Sequence, residues 1–156
     1  MTRECACHSG KSYAECCAPF HRGASDAPTP EALMRSRYAA FALGLGEYLV
    51  HTLATSHADY ALPRCQLVSE LLRAHLEKRF VGLRILFSRS EGDCGEVLFF
   101  ARTYHRGADV SFAELSQFVR EGGAWRYAEG VTFQSLSLPR DLQKLTREVL
   151  RTDGQR

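Results

Sequence analysis

Met34, Tyr38, Phe41, Leu45 and Leu49 follow one another at intervals of four, three, four and four, the spacing that lays one apolar stripe along a helix. Just ahead stand Thr29, Pro30 and Glu31: a hydroxyl for the first free N–H groups, a ring suited to the first turn, and an acid favoured by the helix dipole. A helix is therefore predicted from about residue 30. Gly44 and Gly46 should break or kink it, leaving a second short helix near 47–53. Leu67, Leu71, Leu72, Leu76 and Phe80 repeat the pattern and predict a third helix near 66–80. After Gly82 the texture changes. Residues 83–89, 96–105, 109–119 and 124–133 are short runs rich in Val, Phe, Tyr and Leu, separated by Glu91-Gly92-Asp93, Arg106-Gly107 and Gly122-Gly123. Such runs predict an antiparallel meander. Helices followed by strands make an α+β domain, a curved sheet packed against the preceding helices. Leu138, Leu142, Leu145 and Val149 return to helical spacing and predict a C-terminal helix over about 139–151, packed on its own sheet.

Residues 1–22 break the pattern, with only Tyr13 and Phe20 as large apolar side chains. Something other than a hydrophobic core must fold them. Residues 23–30 are rich in Gly, Ala, Ser, Asp and Pro, the composition of a linker. The expected division is a small element at 1–22, a linker at 23–30, the α+β domain at 31–133 and a helical extension at 134–156.

Six cysteines change the picture. Four of them, Cys5, Cys7, Cys16 and Cys17, lie within thirteen residues. Zn²⁺ takes four soft ligands in a tetrahedron, and two short segments meeting across a turn can supply them. Ser12-Tyr13-Ala14-Glu15 matches a capping box that would start a helical turn and aim the second pair at the first. Two other readings stand beside zinc: disulfides, which need an oxidising compartment, and a redox dithiol, for which Cys-x-x-Cys is the usual arrangement. His8 and His21 flank the cluster, and either could replace one thiolate. Gly10-Lys11-Ser12 is like the end of a phosphate-binding loop, but Cys5 stands where that motif needs its first glycine.

Hydrophobic residues make up 45% and charged residues 24%, which excludes a disordered or low-complexity chain. Twenty Lys+Arg against eighteen Asp+Glu leave +2, too little concentrated charge to point to nucleic acid. No apolar run long enough for a membrane span occurs, and the opening MTRECACHSGKS lacks the apolar segment of a secretory leader. A cytoplasmic location is expected.

The run Cys5-Ala6-Cys7-His8-Ser9-Gly10-Lys11-Ser12-Tyr13, ending in Cys16-Cys17, resembles the SEC-C motif, a zinc-binding element also found at the C-terminal end of the protein-export motor SecA. Glu31-Ala32-Leu33-Met34-Arg35-Ser36-Arg37-Tyr38-Ala39-Ala40-Phe41-Ala42 follows it. Further on come Glu114-x-Ser116-x-Phe118 and Arg120-Glu121-Gly122-Gly123-x-Trp125-x-Tyr127-x-x-Gly130. Together, over about residues 3–130, these resemble the YchJ-like family of bacterial proteins. That resemblance implies a SEC-C element ahead of a nuclear transport factor 2-like (cystatin-like) cone of three helices on a curved sheet. The chain departs from the pattern at Ala6, where Pro is usual, at His8, where Gly is usual, and at Leu53-Ala54-Thr55, where Trp-His-Pro is common.

The cone of such a fold can hold a pocket. Arg37, Arg102, Tyr104, Glu114 and Tyr127 are its candidate polar lining. An acid beside a tyrosine can do acid–base work when burial raises its pKa. The structural alternative pairs Glu114 with an arginine, Arg35 or Arg37. No nucleophile–base pair or acid dyad is readable. His51, His57, His75 and His105 match no ligand spacing. Two functions follow as expectations. One is a zinc-binding adaptor that docks on a protein partner, for which the resemblance suggests a chaperone such as SecB, the export machinery or a ribosome. The alternative is a small-ligand binder or enzyme using the cone. A sealed, apolar cone would favour the first, and an open cleft where Glu114 and Tyr127 converge the second.

Overall fold

The computed structural model of the chain describes residues 3–134 and 141–153. Short 3-10 and α turns, Tyr13–Glu15 and α1 (Ala18–His21), lie in the N-terminal element. Helix α2 (Pro30–Leu43) begins as its sequence dictates, with Thr29 Oγ1 accepting from the Ala32 N–H at 3.1 Å. It stops at Gly44, whose φ of +77° is left-handed and whose missing Cβ leaves room for the His75 ring, 2.9 Å from where that atom would stand. Helices α3 (Gly46–His51) and α4 (Arg64–Glu77) complete the helical layer. No helix among the described residues is long and apolar enough to cross a membrane.

Strands β1 (Arg79–Glu91), β2 (Cys94–His105), β3 (Ala108–Asp109), β4 (Phe112–Glu121) and β5 (Ala124–Gln134) form one antiparallel sheet in the order β1-β2-β4-β5, with β3 against the end of β2. Register shifts in β1 and opposite Gln117/Phe118 add residues on one strand, which bends the sheet. The segment after α3 joins β5: the Tyr127 N–H donates to the Thr52 carbonyl and the Ala54 N–H to the Tyr127 carbonyl, both at 2.8 Å.

Two cores result. The first lies between helices and sheet and is continuous with the N-terminal element: Cys5, Cys7 and Cys17 pack in one cluster with Leu33, Met34, Tyr38, Val97, Phe99, Phe118 and Trp125. The second lies on the opposite sheet face. There α5 (Leu142–Asp153) buries Leu145 and Val149 against Leu98 and Ala113, with Leu86, Phe87, Leu115 and Phe133 around them. The expected packing of the tail helix on its own sheet is thus seen, while Leu138 lies outside the described residues.

One predicted element ends early. The third helix stops at Glu77, Lys78 is extended, and Arg79 pairs with Tyr104 in the ladder. Strand pairing satisfies these backbone groups, so Phe80 reaches the core from β1, where it stacks on Phe41 at 6.1 Å and meets Tyr38 edge-on at 5.6 Å. Leu76, given to the same stripe, is 81% exposed. The meander has the four expected long strands, with β1 starting before Gly82.

Candidate functional site

The cysteine centre is built by a tight local fold. The Cys5 N–H donates to the Lys11 carbonyl at 2.9 Å, the Tyr13 N–H to the Arg3 carbonyl at 2.8 Å, and Glu4 bridges Ser12, so residues 3–13 double back on themselves. His8 (φ +61°) and Gly10 (φ +85°) sit in the bend. His8 therefore holds a left-handed conformation that glycine adopts without a steric penalty. The 3-10 turn and α1 then present Cys16 and Cys17. The Ser12 side chain makes no capping bond, so the predicted box is not formed; Ser9 Oγ lies 3.2 Å from Cys16 Sγ instead.

All four cysteine sulphurs lie within 4.8 Å of one another, with Cys7 to Cys16 at 3.6 Å and Cys16 to Cys17 at 3.8 Å. Four thiolates bound at about 2.3 Å in a tetrahedron stand about 3.8 Å apart, so the sulphurs are placed to hold a metal ion. Cys5, Cys7 and Cys17 are buried, Cys16 half-buried, and all are free of disulfides. Hydrogen bonding from the Cys17 side chain favours the thiolate at Cys7, while the Cys17 thiol is pushed up by its bond to Cys7 and by burial. Burial also raises Cys5. A bound cation would let all four thiols ionise together.

The neighbouring histidines are differently engaged. His21 Nδ1 meets the Tyr13 hydroxyl at 2.7 Å and its Nε2 meets the Ser36 carbonyl at 2.8 Å, so both nitrogens are used in tying the element to α2. Burial holds its pKa below the ordinary value. His8 is exposed, its ring 5.8 Å from that of Tyr38. Arg35 adds a second tie, donating to the Cys7 carbonyl at 3.2 Å.

Between the helices and the sheet lies an open cavity of about 350 Å³. Its walls are apolar and largely aromatic, including Phe41, Phe80, Phe99, Phe112 and Phe118. Of the five residues expected to line it, Arg37, Glu114 and Tyr127 do so; Arg102 and Tyr104 do not. Along β2, Phe99 faces the cavity and Leu98 the second core, and Arg102 and Tyr104 share the parity of Leu98. They belong to the other face of the sheet.

At one end of the cavity Glu114 Oε2 accepts from Ser116 Oγ at 2.5 Å and from the Tyr127 hydroxyl at 3.1 Å. The expected ion pair between Glu114 and an arginine is absent among the described residues. Arg35 is spent on Cys7, and the buried Arg37 donates through Nη1 to the Leu49 carbonyl at 2.8 Å and Thr52 Oγ1 at 2.5 Å. The Arg37 guanidinium lies over the Tyr127 ring, 4.7 Å from its centroid. Burial lowers its pKa to about 10, which leaves it charged at neutral pH. Burial, then the Glu114 charge, pushes the Tyr127 phenol up, so it stays a donor. His57, unassigned by the sequence, lies beside it with ring centroids 5.6 Å apart, its pKa lowered by burial. Gly130 makes the arrangement possible: a Cβ there would stand 2.4 Å from the Tyr127 hydroxyl and 2.6 Å from Glu114 Oε2.

Residues 29–130, the helices and strands that enclose this cavity, match the family described as YchJ, middle NTF2-like domain. The chain belongs to the YchJ-like family. It is 43% identical over 130 residues to a UPF0225 protein of Deinococcus radiodurans, covering 81% of this chain and 88% of that one. A UPF0225 protein YchJ of Shigella dysenteriae is 36% identical over 132 residues, 83% of this chain and 84% of the relative. The solution structure of a SEC-C motif containing protein from Rhodopseudomonas palustris superposes with a TM-score of 0.71 at 38% identity, over 81% of this chain and 96% of the other. The family match covers the cone, and the cysteine element at residues 3–22 precedes it.

Proposed function

We propose that this YchJ-like protein binds one structural Zn²⁺ through Cys5, Cys7, Cys16 and Cys17, and that its working site is the cone pocket, which takes up a small organic molecule. The observation that supports the zinc reading is four cysteine sulphurs within 4.8 Å of one another, two of the separations at tetrahedral edge spacing, with three of the residues buried and Cys16 half-buried. Bound there, the ion would fix the chain of contacts from Arg35 and His21 to α2, the helix that also carries Arg37 into the pocket. It supplies folding energy rather than chemistry on a substrate.

The open cleft where Glu114 and Tyr127 converge supports the ligand-binding reading over a sealed scaffold. Adaptor docking on a chaperone, the export machinery or a ribosome is the second reading, favoured by the exposed Arg3, His8 and Lys11 on the outside of the cysteine element. Metal analysis of protein purified without chelator should return one zinc per chain. None, or loss of zinc without any change in residues 3–22, would overturn the structural role. An adaptor should lose its partner when the cysteine element is unloaded and keep it when Glu114 is changed; a pocket binder should depend on Glu114.

A further inference from the structure

The two oxygens of Glu114 are used unequally. Oε2 takes both protein donors, Ser116 and Tyr127, and among the described residues Oε1 has no protein partner. The carboxylate is therefore held in one orientation with an acceptor left over, on the wall of a cavity lined mainly by aromatic and aliphatic side chains, with Arg37, His57, Asp59, Glu70, Lys78 and Ser116 among the other polar groups. Such a leftover acceptor selects for a donor, because a ligand lacking one would cover the oxygen without pairing it. The charge around it narrows the choice. Glu114 and the buried Arg37 guanidinium lie close enough at this end to feel each other's charge, so they offset one another and a neutral head group, which costs least to strip of water, suits the site. At interior packing density, about 350 Å³ holds roughly 15 non-hydrogen atoms. The exposed Asp59 and Glu70 mark the open side, so the body of the molecule enters past α4.

We propose that the cone pocket binds a compact, mainly apolar organic molecule whose one neutral O–H or N–H group donates to Oε1 of Glu114. This rests on the reading of the cone as a small-molecule site, and the test separates the two. The full-length zinc-loaded protein is titrated, by calorimetry and by backbone amide NMR, with three probes that share one body: 2-naphthol, 2-methoxynaphthalene and 2-naphthoate. The expected order has 2-naphthol bound at least about tenfold more tightly than either of the others, the size of one net hydrogen bond to a charged acceptor. Amide shifts should centre on Arg37, Glu114 and Tyr127. In Glu114→Gln the amide oxygen can still accept from Ser116 and Tyr127, which leaves an N–H₂ donor facing the cavity. The preference for 2-naphthol over the methoxy compound should then disappear, since either oxygen can accept from that N–H₂. Equal binding of 2-naphthol and 2-methoxynaphthalene to the unaltered protein overturns the donor inference and leaves the pocket reading standing. Failure of all three to bind, or shifts away from the pocket, overturns both. The comparison within the unaltered protein decides the matter even where Glu114→Gln does not fold.

Discussion

The cysteine centre and the base of the cone pocket are both clusters of polar groups in an apolar setting, yet they are built in opposite ways. The first takes its four sulphurs from thirteen consecutive residues, and every one converges on the same point. The second draws Arg37 from α2, Thr52 and His57 from the segment after α3, Glu114 and Ser116 from β4, and Tyr127 from β5. In the first, the four sulphurs face one another and three of the four residues are buried. In the second, Ser116, Tyr127 and Arg37 bond within the protein, Glu114 Oε1 has no protein partner among the described residues, and the site is open. A closed local cluster is the signature of architecture; a preorganised long-range cluster with one valence left over is the signature of a binding site.

That contrast can be broken at its strongest point first. Replacing Cys7 by Ser removes a buried ligand from a site of a type worth on the order of 10 to 16 kcal/mol in apparent zinc affinity, so zinc should be lost and amide protection over residues 3–22 should collapse. Because Cys5, Cys7 and Cys17 share a core with Leu33, Met34 and Tyr38, the body should also melt at a lower temperature while remaining folded. An unchanged melting temperature would show that the two regions are energetically separate. Next in size, Leu145→Ala should cost about 2 to 3 kcal/mol by opening the second core under α5, measured by denaturant unfolding, with zinc content and pocket binding unaffected. Gly130→Ala should cost about 1 to 3 kcal/mol and abolish the Tyr127–Glu114 bond, since its Cβ collides with both partners. Here pocket binding should fall while zinc content stays at one per chain, the reverse of the Cys7 result.

The smallest effect is one of pH. The His57 pKa lies below 6.5 in the folded protein because burial disfavours its charge. As pH falls through 6.5 the unfolded chain takes up that proton first, so stability contributed by neutral His57 is complete above about 6.5 and declines below it. His57→Gln should flatten that acid limb, leaving only a pH-independent offset from the lost contacts with Tyr127 and the Asp59 N–H. NMR titration placing the His57 pKa above 6.5 would reverse the sign.

The same contrast explains what could be read from the chain alone. The cysteine cluster was legible because its members are neighbours in sequence, and α2 because Thr29, Pro30 and the apolar stripe agree with one another. The end of the third helix was not legible: Lys78 to Phe80 carry no breaker, and only pairing with β2 turns them into strand. Nor was the facing of β2. Val97, Phe99 and Ala101 look into the first core while Leu98 looks into the second, so both parities are apolar and alternation gives no sign of which residues face the pocket. Arg102 and Tyr104 were assigned by residue type and fell on the wrong side for that reason. Glu114 and Tyr127 were found by type as well, but their partners Ser116 and Gly130 acquire meaning only once β4 and β5 are in register.

Zinc-edge X-ray absorption on protein purified without added metal or chelator tests the central claim most directly. The account predicts one zinc per chain in a single shell of four sulphurs at about 2.3 Å, with no nitrogen or oxygen neighbour. A shell containing nitrogen or oxygen, or a protein that carries no zinc and keeps residues 3–22 folded, would contradict it.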